Sequence, residues 1–472
     1  MLKVENFRGM SGMQGNITVR NKVIIQPSTV WYSILLFLVS AFAMPLIDVF
    51  EKDWFIGIQF VIIAIISIMA LIKENEKHSF SLTLCFYFFC YLFFYCAGTY
   101  QFANDTFRWY LFPSHDEVIQ GNFIIIIGLI SFIIGHFYQF KSQQTKNFSI
   151  SSNFRINRLG LGFLLLILFM YTCYLFSFHS LSDFFMRATF SAADSDNQIS
   201  GLLVGSFRNG IALVCCMTFI SIYKRKRTTS SLIGMIGSLL LALFTIPPTG
   251  VARFLSGAFY GAIVLYAFPT FSKGRKFLTL MFFFLLIIFP LLNNFRFTDG
   301  NILSIFDVVN GLSNNFQAAD FDAYTMLLYT VQYVSDYGYT YGNQMLGTLG
   351  FFIPRALWYS KPIGSGNMII DNMLIPVPGN VSEPIFAEFY INFSYIGLII
   401  FSIVLGCTFK TVDHIYWHQK RSKIYLQMIY PFLSLITIFI CRGDLMSTFS
   451  FCLGTICTSF LAYKLIYRKV IS

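Results

Sequence analysis

The chain has 472 residues, 56% of them hydrophobic and 12% charged, with a mean hydropathy of +0.65. No fold surrounded by water absorbs that much apolar surface, and the same composition excludes a disordered, collagen-like or disulfide-scaffold chain. The 33 Lys and Arg against 22 Asp and Glu leave a net +11, which in a soluble protein would point to nucleic acid; in a membrane chain it reads as an orientation signal, and no nucleic-acid partner is expected.

The first 29 residues carry Lys3, Arg8, Arg20 and Lys22 in a polar stretch too long and uneven for a signal-peptide n-region, so they read as a cytoplasmic lead-in. Apolar windows follow. A helix rising about 1.5 Å per residue needs about 20 of them to cross some 30 Å of hydrocarbon. Windows near 30–47, 54–72, 80–98, 121–140, 159–177, 201–223, 230–246, 255–271 and 277–293 make nine spans; 388–408, 425–441 and 446–464 make three more. Backbone groups in lipid must be satisfied within each segment, so the expected fold is an all-α polytopic membrane protein with about 12 transmembrane helices.

The distribution of basic residues tests that count, because a missed span would invert every later loop. Under it, 24 of the 33 Lys and Arg fall on one side, including the run Lys224, Arg225, Lys226, Arg227, which places both termini in the cytoplasm. Between the ninth and tenth spans, residues 294–387 form a large extracytoplasmic loop. Its aromatic, partly helical stretches predict amphipathic helices at the outer surface, and a connection of that length usually has a function. No internal repeat is evident, which weighs against many secondary transporters. All ten cysteines fall in or beside apolar runs without a CxxC pair, so neither a disulfide framework nor a structural zinc is expected.

The basic residues that break the orientation bias are the candidates for chemistry. Arg208, in GLLVGSFRNG, lies roughly 10 Å below the outer surface by helical rise. A cavity or counter-charge is favoured there over snorkelling to the headgroups. Arg253 follows the breakers of TIPPTGVARF, where free N–H groups and a guanidinium can converge on a phosphate, although an ordinary helix reversal accounts equally well for the turn. In GFFIPRALWYSKPIGSGNM, Arg355 and Lys361 flank Trp358 and Tyr359, cations beside aromatic faces that suit a sugar phosphate or, alternatively, an interfacial anchor. Arg442 directly follows the eleventh window. Glu383 and Glu388 stand at the mouth of the tenth, where a carboxylate can act as general base or hold an arginine; the dipole of a helix N-terminus also accounts for Glu388.

Weaker signals are Asp320 with Asp322 and Asp194 with Asp196, which match an Asp-x-Asp metal pattern, and Glu51 with Asp53 in the first outer loop, where a divalent ion can be held; solvated loop charge is the expected role. His115 and His179 are the extracytoplasmic histidines, and lone loop histidines seldom act as bases. With no Walker A sequence and no HExxH, ATP-driven transport and zincin chemistry have no support.

The stretch YGYTYGNQMLGTLGFFIPRALWYSKP, followed by EPIFAEFYINFSYIG, resembles the Wzy-type polymerases of O-antigen and capsule repeat units. PTGVAR is similar to a short Gly-Arg turn in many of them, and the spacing from Arg355 to Gly366 looks like the Arg and Gly spacing of their periplasmic loops. The likeness covers residues 245–400. It implies a GT-C-like membrane glycosyltransferase of the bacterial inner membrane, using no cofactor and no metal. Its substrates would be undecaprenyl-pyrophosphate-linked oligosaccharides, with a chain-length regulator and a flippase as partners. On that reading Arg208, Arg253, Arg355, Lys361 and Arg442, with Trp358 and Tyr359, surround the lipid pyrophosphate, Arg355 belongs to the catalytic set, and Glu388 or Glu383 supplies the base. An O-antigen ligase would share this donor. A lipid-linked oligosaccharide flippase is the rival from another class, and it should place charges on several helices mid-membrane.

Overall fold

A computed structural model describes residues 43–138, 154–178, 180, 198–271, 276–292, 314–377, 381–419 and 424–469. Most of the first predicted span, the lead-in before it, His179, and Asp194 with Asp196 lie outside them. The chain is an all-α polytopic membrane protein, and among the described residues eight helices are long and apolar enough to cross a membrane.

In chain order these elements begin with a short α1, Ala43–Lys52. Then come α2, Trp54–Lys77, α3, Leu82–Ala103, and α4, His115–Phe137. Strand β1, Phe154–Ile156, leads into α5, Arg158–Phe178, and α6, Gln198–Lys226. Three shorter apolar helices follow: α7, Thr229–Thr245, α8, Arg253–Ala267, and α9, Lys276–Leu291. The long loop contributes α10, Ala323–Tyr337, α11, Asn343–Leu349, and α12, Ser365–Asn372. The last three long helices are α13, Ile385–Gln419, α14, Ile424–Arg442, and α15, Leu445–Ile466. Strand β2, Tyr467–Lys469, pairs antiparallel with β1.

Helix starts follow side-chain chemistry. Asp53 accepts from the N–H groups of Phe55 and Ile56 to begin α2. Ser114 and Glu117 form a reciprocal capping box that begins α4 six residues before its apolar window. Ser81 caps α3, and Asp413, far along α13, accepts from the N–H groups of Leu82 and Thr83 and from the hydroxyls of Thr83 and Tyr430. Asp413 thereby fastens three helices together at the end of the bundle away from the long loop's helices.

Small residues set the closest helix contacts. A methyl group on Gly135 would lie 2.0 Å from the Ile403 carbonyl oxygen, and one on Gly406 2.2 Å from that of Phe132. Helices α4 and α13 therefore pack backbone to backbone, as small residues permit in membranes. The central helix is α3, enclosed along its whole length, with a π-helical turn over Cys90–Cys96.

Candidate functional site

The start of the long loop's described portion is docked by a buried polar chain. Gln101 on α3 donates to the carbonyls of Phe316 and Phe321, at 2.9 and 3.0 Å, and accepts from the Thr325 hydroxyl. Tyr324 donates to Asn122 on α4, which donates to Gln59 on α2. Because buried amides must be satisfied, this network fixes the short 3₁₀ turns ahead of α10 against the bundle.

Those turns carry Asp320 and Asp322, and both are buried rather than solvated as expected. Asp320 accepts from Arg253 Nη2 at 2.7 Å, and Asp322 accepts from Arg442 Nη2 at 2.7 Å. The expectation failed because the partners lie 67 and 120 residues away, and no local pattern reports them. Arg253, 5% exposed at the first position of α8, also donates to the Phe289 carbonyl. Arg442, the last residue of α14, donates to the carbonyls of Asp320 and Ala319. Its Nη1 makes no hydrogen bond among the described residues, so a guanidinium edge remains for an incoming acceptor. Removing Asp322 would take the counter-charge from the largely buried Arg442, a loss of about 3–5 kcal/mol.

Arg253 borders two spaces, and Arg442 the first of them. One is a small cavity of about 80 Å³ whose walls include Trp109, Arg253, Asp320, Asp322, Arg442 and Asp444. The other is an apolar slot of about 350 Å³ between α8, α9 and α14, headed by Arg253 and Phe254 and running past Gly257 and Gly261. A polar cavity and an apolar slot that share one guanidinium in their walls suit an amphiphile with an anionic head.

Acids stand beside the arginines. Asp444 caps α15 through Oδ1, which accepts from Ser447 N at 3.2 Å, while Oδ2 has no hydrogen-bond partner among the described residues. Its closeness to Gly364 leaves no room for a side chain there. Burial pushes the Asp444 carboxyl above the usual range, against the pull of neighbouring backbone N–H groups. Sequence reasoning missed this residue, whose one local signal is an acid directly before an apolar run, the signature of an N-cap. Glu388 accepts from the Ser365 hydroxyl at 2.7 Å and from Leu445 N at 2.9 Å. Glu383, 0% exposed, shares a 2.7 Å contact with Thr330, and its Oε2 has no partner among the described residues. The Thr330 hydroxyl also lies 2.8 Å from the Met326 carbonyl, and it has one proton for two acceptors. A neutral Glu383 resolves the conflict by donating to Thr330. Burial first, and the Glu388 carboxylate second, push the Glu383 carboxyl well above the usual range, in agreement with that geometry.

The remaining predicted cations are elsewhere. Lys361 is buried, donating to the carbonyls of Phe351 and Ile353 at 2.7 and 3.1 Å; burial lowers its ammonium pKa, with help from Arg355. Arg355 donates to the carbonyls of Lys361 and Pro362. Together they staple the 350–362 loop. Trp358 packs over Gly350, and Tyr359 is 95% exposed. Gly366 is needed where α12 meets the chain at Ser382, since a methyl there would lie 2.8 Å from that carbonyl. Arg208 is buried in α6 beside Tyr171 and lines a separate cavity. His115 pairs with Asp53 at 3.0 Å, at the start of α2. The cations thus form two groups, Arg253 with Arg442, and Arg208 with the stapled loop, instead of one ring.

No protein-family model, curated protein or solved structure matches this chain.

Proposed function

We propose that the protein is a membrane glycosyltransferase of the bacterial cytoplasmic membrane, joining undecaprenyl-pyrophosphate-linked oligosaccharide repeat units into a surface polysaccharide at the outer face. The single observation that carries this reading is the Arg253–Arg442 pair, buried against Asp320 and Asp322 at the junction of a polar cavity and an apolar slot. The likeness of residues 245–400 to Wzy-type polymerases and the one-sided distribution of basic residues support it. A ligase would use the same donor and differ in acceptor.

In this mechanism the acceptor sugar hydroxyl attacks the anomeric carbon of the donor glycan. The bond from that carbon to the pyrophosphate oxygen breaks, and the pyrophosphate leaves with the electron pair. Developing negative charge meets Arg253 and the uncommitted edge of Arg442, in a partly dry site where fixed cations act strongly. The hydroxyl proton passes to a carboxylate. Asp444 is the best placed, since it lines the arginine cavity with Arg253 and Arg442, and a raised pKa suits a base working near neutral pH. Glu388 and the neutral Glu383 stand behind it and hold its surroundings.

The test is elongation by purified protein in liposomes supplied with lipid-linked repeat units. The wild type should build chains, and Arg442→Gln should lower the rate by about 100-fold or more, as expected when a charge-stabilising donor is lost. Movement of the units across the bilayer without elongation would assign the protein to the flippases instead.

A further inference from the structure

Helix α11 is amphipathic in the opposite sense to a helix washed by water. Gln344, Gly347 and Thr348 are buried, while Leu346 and Leu349 are 59% and 64% exposed. The two leucines share a face at helical spacing, and Phe352, 59% exposed, follows at the same interval in the turn beyond. The other helices of the long loop are built the usual way: α10 exposes Ser335, Asp336 and Tyr337, and α12 exposes Asp371 and Asn372. A row of large apolar side chains turned outward marks contact with an apolar neighbour.

The turn after α11 satisfies its own backbone. The N–H groups of Gly350, Ile353, Leu357, Trp358 and Lys361 donate to the carbonyls of Leu346, Gly350, Pro354 and Trp358. Arg355 donates to the carbonyls of Lys361 and Pro362, and Lys361 to those of Phe351 and Ile353. A loop in water can leave such groups to solvent, whereas irregular backbone at membrane depth must find its partners in protein. Position agrees with that requirement. A methyl group on Gly347 would lie 2.4 Å from Pro362 Cγ and 2.7 Å from Met446 Cε, and Met446 is the second residue of the spanning helix α15. Phe352 shares the wall of one cavity with Phe207 on α6 and with Leu453, which is eight residues, or about 12 Å of helical rise, into α15. Phe207 and Leu453 are themselves exposed on their spans, so the segment borders the face of the bundle that meets lipid.

We propose that the row Leu346, Leu349 and Phe352 is seated in the lipid leaflet at that end of the bundle, with bilayer hydrocarbon as its partner. Helix α11 and the turn after it then form a re-entrant wedge, and α10 and α12 carry the water-facing part of the loop. Charge favours this occupant. Between Asp336 and Asp371 the chain has no acid, and the two cations it carries, Arg355 and Lys361, are engaged by carbonyls. The staple thereby has a physical task, keeping the turn's carbonyls paired where water is scarce. Tyr359 is outside the row and is not assigned to lipid. The inference needs only a membrane-spanning chain, so it goes beyond the proposed reaction and is tested apart from it.

The wild-type chain in phosphatidylcholine liposomes is irradiated with the apolar carbene precursor trifluoromethyl-iodophenyl-diazirine, and adducts are mapped by peptide mass spectrometry. Leu346, Leu349 and Phe352 should be labelled to the level of Leu166 and Phe169, exposed apolar residues of the span α5. They should exceed Ser335, Asp336, Asp371 and Asn372 by about tenfold or more, the partition expected between hydrocarbon and water. No variant has to fold for this measurement, and elongation activity does not enter it. Labelling of the row no higher than at Asp371 would overturn the inference by placing α11 in water. Labelling that emerges only when the protein is diluted in excess lipid would overturn it by assigning the row to a second copy of the chain.

Discussion

At Glu383 a single proton decides what the side chain can do. Thr330 cannot satisfy both the Met326 carbonyl and an ionised carboxylate, so the folded state favours the protonated acid. A carboxyl whose folded pKa is raised contributes stability fully below the ordinary carboxylate range and loses it as pH rises through the folded value. The wild-type melting temperature should therefore fall as pH rises from the acid side through neutrality. Glu383→Gln, which keeps the donor and removes the titration, should flatten that dependence. A melting series with identical pH slopes in both proteins would show that Glu383 does not titrate between the folded and unfolded states. The same reasoning separates the acids by role: Glu388 has both oxygens engaged by donors, whereas Asp444 lines the arginine cavity with its Oδ2 packed against Gly364.

At the scale of elements, α13 is informative because it is interrupted. Phe393 and Ser394 leave helical geometry, and the carbonyl of Ile391 accepts instead from Thr340 N at 2.9 Å. The loop before α11 thus supplies the bond that the helix gives up, and Asn392 accepts from the Thr340 hydroxyl and from Met345 N. Gly342 makes the approach possible, with φ +86° and a would-be methyl group 2.4 Å from Phe393 Cζ. Gly342→Ala should cost about 1–2 kcal/mol, from the left-handed backbone and the lost approach together, read as a lower midpoint of thermal unfolding. Of this, the sequence showed the long apolar window of α13 but not its break: window averages report helical burial, while a one-residue departure compensated by a loop 51 residues away leaves no periodic trace. Of the twelve predicted windows, eight correspond to described helices long enough to span and three to shorter apolar helices, because apolar length is a local property. The pairing of Arg253 with Asp320 and of Arg442 with Asp322 is not local, and neither is the role of Lys361 as a carbonyl staple, which its spacing to Arg355 suggested as ligand chemistry.

For the whole molecule, the sidedness proposed from charge has a direct consequence. Tyr359→Cys, at a highly exposed position of the stapled loop, should react with an impermeant thiol reagent added outside intact spheroplasts, and Arg225→Cys should react only after the membrane is opened. The reverse pattern would invert the topology and remove the periplasmic site. The buried position of α3 has a further consequence, for assembly. In the finished protein this helix has neighbours on every face, yet during synthesis it is made before α4 and all the later elements that enclose it. Its aromatic side chains must therefore tolerate acyl chains in the nascent state and then exchange them for protein. Folding intermediates stalled before α13 emerges from the ribosome should hold this segment as their most readily lipid-labelled stretch.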